Sequence, residues 1–325
     1  MFEKLFEFIA RHKSFIISTH DLADADGLGA ELAFAHIIKT LKKQPHIINA
    51  SPIPSNFTFI DPEKMIEVWD EEKHSNLAKK SALLIVDTSE EYHIGQIKNI
   101  LETVQEVFVF DHHEPALQSP LTGFIDSTAA STSELAIEAA TEAGITLDIM
   151  SAIAAYTGIV YDTGYFAYSK TTSRTFAAAL KMVELGVNPY ETYLNLSESA
   201  SSGSLLLQKK VLSTLDVFSN GRIAVQILRK EFLEETGSHF EDADGFINLP
   251  MKSKDIAVSI MIKENVEGKV NCSLRSRRTV NVSQIAQAFG GGGHASAAGF
   301  RSKLGIEQVI SETLKQVLEK VEIQL

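Results

Sequence analysis

The sequence predicts an α/β protein: an N-terminal parallel sheet with helices on both faces, followed by a smaller α+β domain. Three observations predict it. The chain has 325 residues, more than one hydrophobic core usually holds. Its first half alternates short apolar runs with helically spaced stretches, the pattern of parallel strands joined by helices. Near residues 197–204 the small polar run Ser-Glu-Ser-Ala-Ser-Ser-Gly-Ser breaks that alternation, and hairpin-like strand pairs follow. The expected division is a first domain over 1–196, a linker over 197–204 and a second domain over 205–325.

Residues 15–19 (Phe-Ile-Ile-Ser-Thr) read as a buried strand, and 27–43 as a helix with Leu28, Leu32, Ala35, Ile38 and Leu41 on one side. Residues 46–51 and 82–87 read as two more strands, and 94–104 has helical spacing. The apolar run 107–110 is again a strand, ending abruptly in Asp111-His112-His113. Residues 132–143 read as a helix, with Ser131 or Thr132 as its cap and Gly144 as its stop. Further helices are expected over 149–160, 173–185 and 189–196. In the second half the expectation is a helix over 205–215 and a hairpin over 217–228 around Asn220-Gly221. A strand pair over 256–262 and 270–274 would turn at Glu267-Gly268, and helices over 282–289 and 306–321 would close the chain.

Composition removes several classes of function. Hydrophobic residues make up 44% and charged residues 22%, which excludes disordered and low-complexity chains. One cysteine, Cys272, cannot form an internal disulfide, and the N-terminus mixes Glu3, Lys4, Glu7, Arg11 and Lys13 among apolar residues. The expectation is a cytoplasmic protein with no membrane partner. A net charge of −12 argues against duplex DNA, which attracts basic faces. Positive charge is concentrated late: between Lys263 and Lys303 there are seven Lys/Arg against two Glu.

Acidic and imidazole side chains collect at the ends of apolar strands: His20 with Asp24 and Asp26, then Asp87, then Asp111-His112-His113, and later Asp162. In an open parallel sheet the carboxyl ends of strands share one edge, so these groups can converge there. Singly, each has an ordinary explanation, since an Asp after a strand caps a helix or starts a turn. A calcium loop fails at Asp24-Ala25-Asp26-Gly27, because Leu22 and Ala33 occupy its first and twelfth positions. Together, several carboxylates at one edge would repel and protonate unless cations neutralised them. Imidazole and carboxylate without thiolate suit manganese, and also iron, cobalt or zinc. Two such metals sharing a carboxylate form a device for attack on phosphorus, so phosphoester hydrolysis is the expected chemistry.

These motifs resemble those of the DHH phosphoesterases, named for the triplet found here at Asp111 to His113. The resemblance includes His-x-x-x-Asp-x-Asp at His20, Asp24 and Asp26, Asp87-Thr88-Ser89, Asp162, and Gly290-Gly291-Gly292-Gly293-His294 through Gly299. The chain length and Asp244-Gly245-Phe246-Ile247-Asn248 resemble the NrnA-like group of oligoribonucleases (nanoRNases) that also act on 3′-phosphoadenosine 5′-phosphate. The resemblance implies a DHH domain and a smaller DHHA1 domain with an active-site cleft between them. It implies that His20 and Asp24 hold one metal, Asp26, His112 and Asp162 the other, and that Asp87 bridges them. His113 would contact the scissile phosphate or protonate the leaving oxygen, with Asp111 orienting the imidazoles. Members often carry Pro where this chain has Ala23, a difference in loop stiffness more than in ligation.

The glycine run by itself reads as a flexible turn, and no Lys-Ser or Lys-Thr follows it to make a nucleotide P-loop. Yet glycine N–H groups of Gly291, Gly292 and Gly293 can approach an anion, and His294 can donate to phosphate. Arg275, Arg277 and Arg278 lie nearby in sequence, and strand alternation favours Arg275 and Arg277 on one face. The implied substrates are short single-stranded RNA and small phosphorylated nucleotides, hydrolysed by two-metal activation of water, with Mn2+ the first choice of cofactor. The rival readings are a cyclic- or linear-dinucleotide signalling phosphodiesterase of the same family and a nucleotide-binding regulator without turnover.

Overall fold

The computed structural model describes residues 1–114, 121–243, 245–265, 268–277 and 280–322, excepting the side chains of residues 294, 321 and 322. Arg278, Asp244 and Glu267, which figure in the sequence reading, therefore lie outside the described residues, as does the side chain of His294. The chain divides into two compact units, Met1–Ser199 and Ala200–Leu325.

The first unit is built on six strands: β1 (Ser14–Ser18), β2 (Gln44–Asn49), β3 (Ile66–Val68), β4 (Ala82–Val86), β5 (Val107–Asp111) and β6 (Gly123–Ile125). Their order is β3-β2-β1-β4-β5-β6, and every neighbouring pair is parallel. Strand order reverses between β1 and β4. In open α/β sheets ligands bind outside the carboxyl ends of the strands at that reversal.

Alternation along the strands sorts side chains into two cores. Phe15, Ile17, Ala82, Leu84, Val86, Phe108 and Phe110 face one core, whereas Ile16, Leu83, Ile85 and Val109 face the other. The first core is covered by helices α1 (Glu3–Arg11), α2 (Ala25–Thr40), α4 (Thr132–Glu142), α5 (Ile149–Asp162) and α6 (Ser173–Glu184). The second is covered by α3 (Glu71–Ala78) and by tight helical turns that bring in Ile97 and Ile100. Helix α7 (Pro189–Ser197) completes the unit.

Helix α2 was expected to be apolar on one side, but every residue from Ala25 to Ala35 is buried. It packs mainly against α5 and α4, and a helix enclosed on all sides is apolar all round, here apart from buried Asp26 and Glu31. The helix expected over 94–104 is instead a 3-10 segment, Gly95–Ile100. Gly95, at its start, sits at φ 54°, a left-handed conformation through which no right-handed helix runs, and Ile94, Ile97 and Ile100 are buried on a three-residue spacing that the tighter helix satisfies.

The second unit carries α8 (Ser202–Leu212), β7 (Asp216–Phe218), β8 (Ile223–Leu228), α9 (Lys230–Thr236), β9 (Val258–Glu264), β10 (Val270–Ser276), α10 (Val282–Ala288), β11 (Gly292–His294), β12 (Ala297–Ser302) and α11 (Ile306–Glu322). Its sheet runs β11-β12-β10-β9-β8-β7, with β8 and β9 parallel and the other pairs antiparallel. The serine run read as a linker enters α8 three residues before the expected 205. Ser201 caps that helix by accepting from the Ser204 N–H at 3.1 Å, so part of the polar run serves a helix start.

Candidate metal centre

The loop leaving β1 supplies His20, Asp24 and Asp26. Asp24 caps α2, accepting from the N–H groups of Asp26 at 3.0 Å and Gly27 at 3.2 Å. Asp26, in the first turn, is fully buried and accepts from two backbone N–H groups at the start of α4, Thr132 at 2.7 Å and Ser133 at 2.8 Å. Helix N-termini attract anions for this reason. Asp87 follows β4 at φ 63°, a left-handed residue of a kind concentrated at functional sites, and its Oδ1 accepts from the Thr132 hydroxyl at 2.8 Å. Asp111 ends β5 and is buried, accepting from the His113 N–H at 3.1 Å. Its Oδ1 lies 2.8 Å from His113 Nδ1. Asp162 is the last residue of α5.

These residues meet outside the carboxyl ends of β1, β4 and β5, next to the strand-order reversal. Asp87 Oδ2 lies 3.6 Å from His20 Nε2, and Asp87 Oδ1 lies 3.6 Å from His112 Nε2. His20 Nε2 is 3.8 Å from Asp24, while His112 Nε2 is 3.2 Å from Asp162 and 3.8 Å from Asp26. Among the described residues, ligand-type atoms within 4.8 Å of one another form three overlapping groups: His20, Asp24 and Asp87; Asp26, His112 and Asp162; Asp87, His112 and His113.

The residues fit divalent cations by two independent marks. His112 Nδ1 lies 3.4 Å from the Ala129 carbonyl, which assigns the proton to that nitrogen and leaves Nε2 a lone pair. That Nε2 is buried and has no hydrogen-bond partner, although three carboxylates surround it. Lone pair facing carboxylate is repulsive unless a cation or a proton stands between them. The second mark is electrostatic. Burial, reinforced by the charges of Asp26 and Asp24, pushes the Asp162 carboxyl up to about 8 and the Asp87 carboxyl well above the usual range. Burial pulls the His112 imidazole down. Half-exposed His113 goes the other way: against the cost of burial, the Asp111 hydrogen bond and the Asp87 charge raise it to about 9.

Thr132 and Ser133, which sequence reasoning missed, tie Asp26 and Asp87 to one helix start. Their only sequence signal is the Ser131-Thr132-Ser133 run, indistinguishable from any helix cap. A second support lies behind His20. Asn49 accepts from the Ser18 hydroxyl and the Thr19 N–H, each at 3.3 Å, and donates to Glu31 at 3.0 Å. This fixes the residue before His20. Burial raises the Glu31 carboxyl to about 8.

The remaining expected site residues belong to the second unit. Arg275 stands in β10 opposite Ala297 and Ser259, on the face away from buried Cys272 and Leu274. The strand ends at Ser276, and Arg277 just beyond it continues the pairing, its N–H donating to the Ala257 carbonyl at 3.0 Å, while its guanidinium donates to the Met251 carbonyl. The glycine run is no flexible turn: Gly292, Gly293 and His294 pair with Gly299, Ala298 and Ala297. A Cβ at Gly291 would fall 2.2 Å from the Gly299 carbonyl oxygen, so close strand approach accounts for that glycine.

A doubly wound domain with an Asp/His cluster at its strand-order reversal, joined to a mixed-sheet domain, is the architecture of the DHH class. The family model for the DHH N-terminal domain matches residues 14–159, and that for the DHHA1 domain matches residues 220–322. The chain thus carries a DHH-family N-terminal domain and a DHHA1 domain; DHH phosphoesterases are metal-dependent. It is 27% identical to the Thermus thermophilus bifunctional oligoribonuclease and PAP phosphatase NrnA, over 94% of this chain and 89% of that protein. It is 25% identical to a membrane protein–large ribosomal subunit bL9 fusion protein of onion yellows phytoplasma over 98% of this chain, and it spans only 38% of that relative. A crystal structure of an exopolyphosphatase-related protein from Bacteroides fragilis shares the fold at a TM-score of 0.90 and 24% identity, covering 98% of this chain and 95% of that one. No helix among the described residues is long and apolar enough to cross a membrane.

Proposed function

We propose that the protein hydrolyses short oligoribonucleotides to nucleoside 5′-monophosphates and 3′-phosphoadenosine 5′-phosphate to AMP, using two divalent cations, manganese first among them. The observation that carries this reading is Asp87, one oxygen toward His20 and the other toward His112. His20 and Asp24 would hold one cation, and Asp26, His112 and Asp162 the other, with Asp87 shared. When bound, such a pair supplies Lewis-acid charge that activates water and offsets the charge that develops at phosphorus. The similarity to a bifunctional oligoribonuclease and PAP phosphatase over almost the whole chain supports the choice of substrate.

The protein's own residues do the rest. Asp111 engages His113 Nδ1 and so turns Nε2 outward, and against the cost of burial that hydrogen bond favours the charged ring. His113 can therefore hold a phosphate oxygen and give a proton to the leaving oxygen. Arg275, Arg277, His294 and the N–H groups of Gly291, Gly292 and Gly293 would bind substrate phosphates. The net charge of −12 disfavours duplex DNA, and a single buried cysteine, Cys272, suits the cytoplasm.

The test is a substrate panel with manganese: an RNA dinucleotide, a longer single strand, 3′-phosphoadenosine 5′-phosphate, cyclic dinucleotides and pyrophosphate. Rapid loss of the dinucleotide and of 3′-phosphoadenosine 5′-phosphate is expected. Exclusive consumption of pyrophosphate or of a cyclic dinucleotide would overturn the substrate assignment.

A further inference from the structure

Helix α5 ends on Asp162, and the chain beyond it reverses through three consecutive left-handed residues, Gly164 (φ 53°), Tyr165 (φ 59°) and Phe166 (φ 65°). Bulky residues resist this conformation, so the reversal persists only because its surroundings over-determine it. The Tyr165 N–H donates to the Val160 carbonyl at 2.8 Å, and the Phe166 N–H to the Thr163 hydroxyl at 3.0 Å. The Ala167 and Tyr168 N–H groups both reach the Thr163 carbonyl, at 3.0 and 2.9 Å. The Phe166 ring stacks on Phe176 at 5.1 Å. The Tyr165 ring stands edge-on to Tyr193 at 5.7 Å, its hydroxyl bonded to Ser197.

The reversal folds the Tyr168 ring back over Gly164. A Cβ at Gly164 would meet three ring atoms of Tyr168 at 2.4, 2.5 and 2.8 Å. One part of the ring is thus backed by bare backbone, yet Tyr168 remains 63% exposed. An aromatic surface braced from behind and open in front, a few residues past a carboxylate of the metal centre, suits stacking with a base. Two residues on, Lys170 is exposed and makes no ion pair with any described residue.

We propose that residues 163–170 form a nucleotide subsite, in which the Tyr168 ring stacks on a substrate base and the Lys170 ammonium holds the adjoining phosphate. The inference rests on the proposed action on nucleotides, but its test does not depend on turnover. Calorimetry on the manganese-loaded protein would compare binding of AMP with that of ribose 5-phosphate, which lacks the base. Tyr168→Ala weakens AMP by about 5- to 100-fold and leaves ribose 5-phosphate within about twofold, while Tyr168→Phe, which keeps the ring, restores AMP binding. Lys170→Ala weakens both ligands by a similar factor. Unchanged AMP affinity in Tyr168→Ala, an equal loss of both ligands in that variant, or no preference of the wild type for AMP over ribose 5-phosphate overturns the subsite. A wild-type protein that cleaves no dinucleotide yet shows these base-specific losses would overturn the proposed function and leave the subsite standing.

Discussion

Removing divalent cations should make the stability of the first unit fall as pH rises from about 5 to about 8, because two of its metal-centre carboxyls, those of Asp162 and Asp87, are held protonated when no cation faces them. The Asp162 carboxyl is raised to about 8, and Asp87 is raised in the same direction. A group whose folded pKa lies above its unfolded value stabilises fully below the unfolded pKa, and that stability is lost as pH climbs through the folded value. Asp162 therefore loses stability across the whole window, at about 1.4 kcal/mol per pH unit, or about 4 kcal/mol in all. For a unit of this size that is a fall of about 10 °C in Tm. His113, raised to about 9, adds loss of the same sign above its ordinary value, while lowered His112 opposes it below. Glu31, raised to about 8, also adds slope but binds Asn49 rather than facing the other ligands, so Glu31→Gln isolates the metal-dependent part. The assay is a thermal melt at several pH values, with chelator and with manganese. Manganese should flatten the curve, since cations replace the missing protons. A chelated Glu31→Gln protein whose Tm is flat or rises with pH, or whose slope manganese leaves unchanged, would refute the reasoning.

Two further substitutions test the supports of each unit. Thr132→Val removes the hydroxyl at 2.8 Å from Asp87 and should cost about 10- to 100-fold in manganese affinity by calorimetry, with Thr132→Ser restoring most of it. Gly291→Ala forces a Cβ to within 2.2 Å of the Gly299 carbonyl oxygen and should destabilise the second unit by about 1–3 kcal/mol, read as an earlier denaturant midpoint without change in manganese affinity.

The elements most legible in the sequence were those whose pattern is dictated by burial. The apolar runs of β1, β4 and β5 are buried, and a strand enclosed on both faces reads as a continuous hydrophobic run. Helix α3 was not legible, being polar along most of its length with only His74 and Ala78 buried. Strands β3 and β6 span three residues each, too few for alternation to register. The hairpin β11–β12 was hidden because glycine and alanine carry no strand signal, although close backbone approach demands them. Residues such as His20, Asp87 and His112 stood out because each interrupts an apolar strand end. Thr132 did not, because its role depends on which carboxylates the fold brings to the start of α4. Tyr168 was equally silent: its exposure follows from left-handed residues that no periodicity reveals.

The central claim is that Asp87 is shared by two cations. Metal content by plasma emission, after loading with manganese and removal of excess, should give two ions per wild-type chain. Asp87→Asn should retain none or one while keeping the folded circular dichroism spectrum. A wild type that holds no metal, or an Asp87→Asn protein that holds the full complement, would contradict the account.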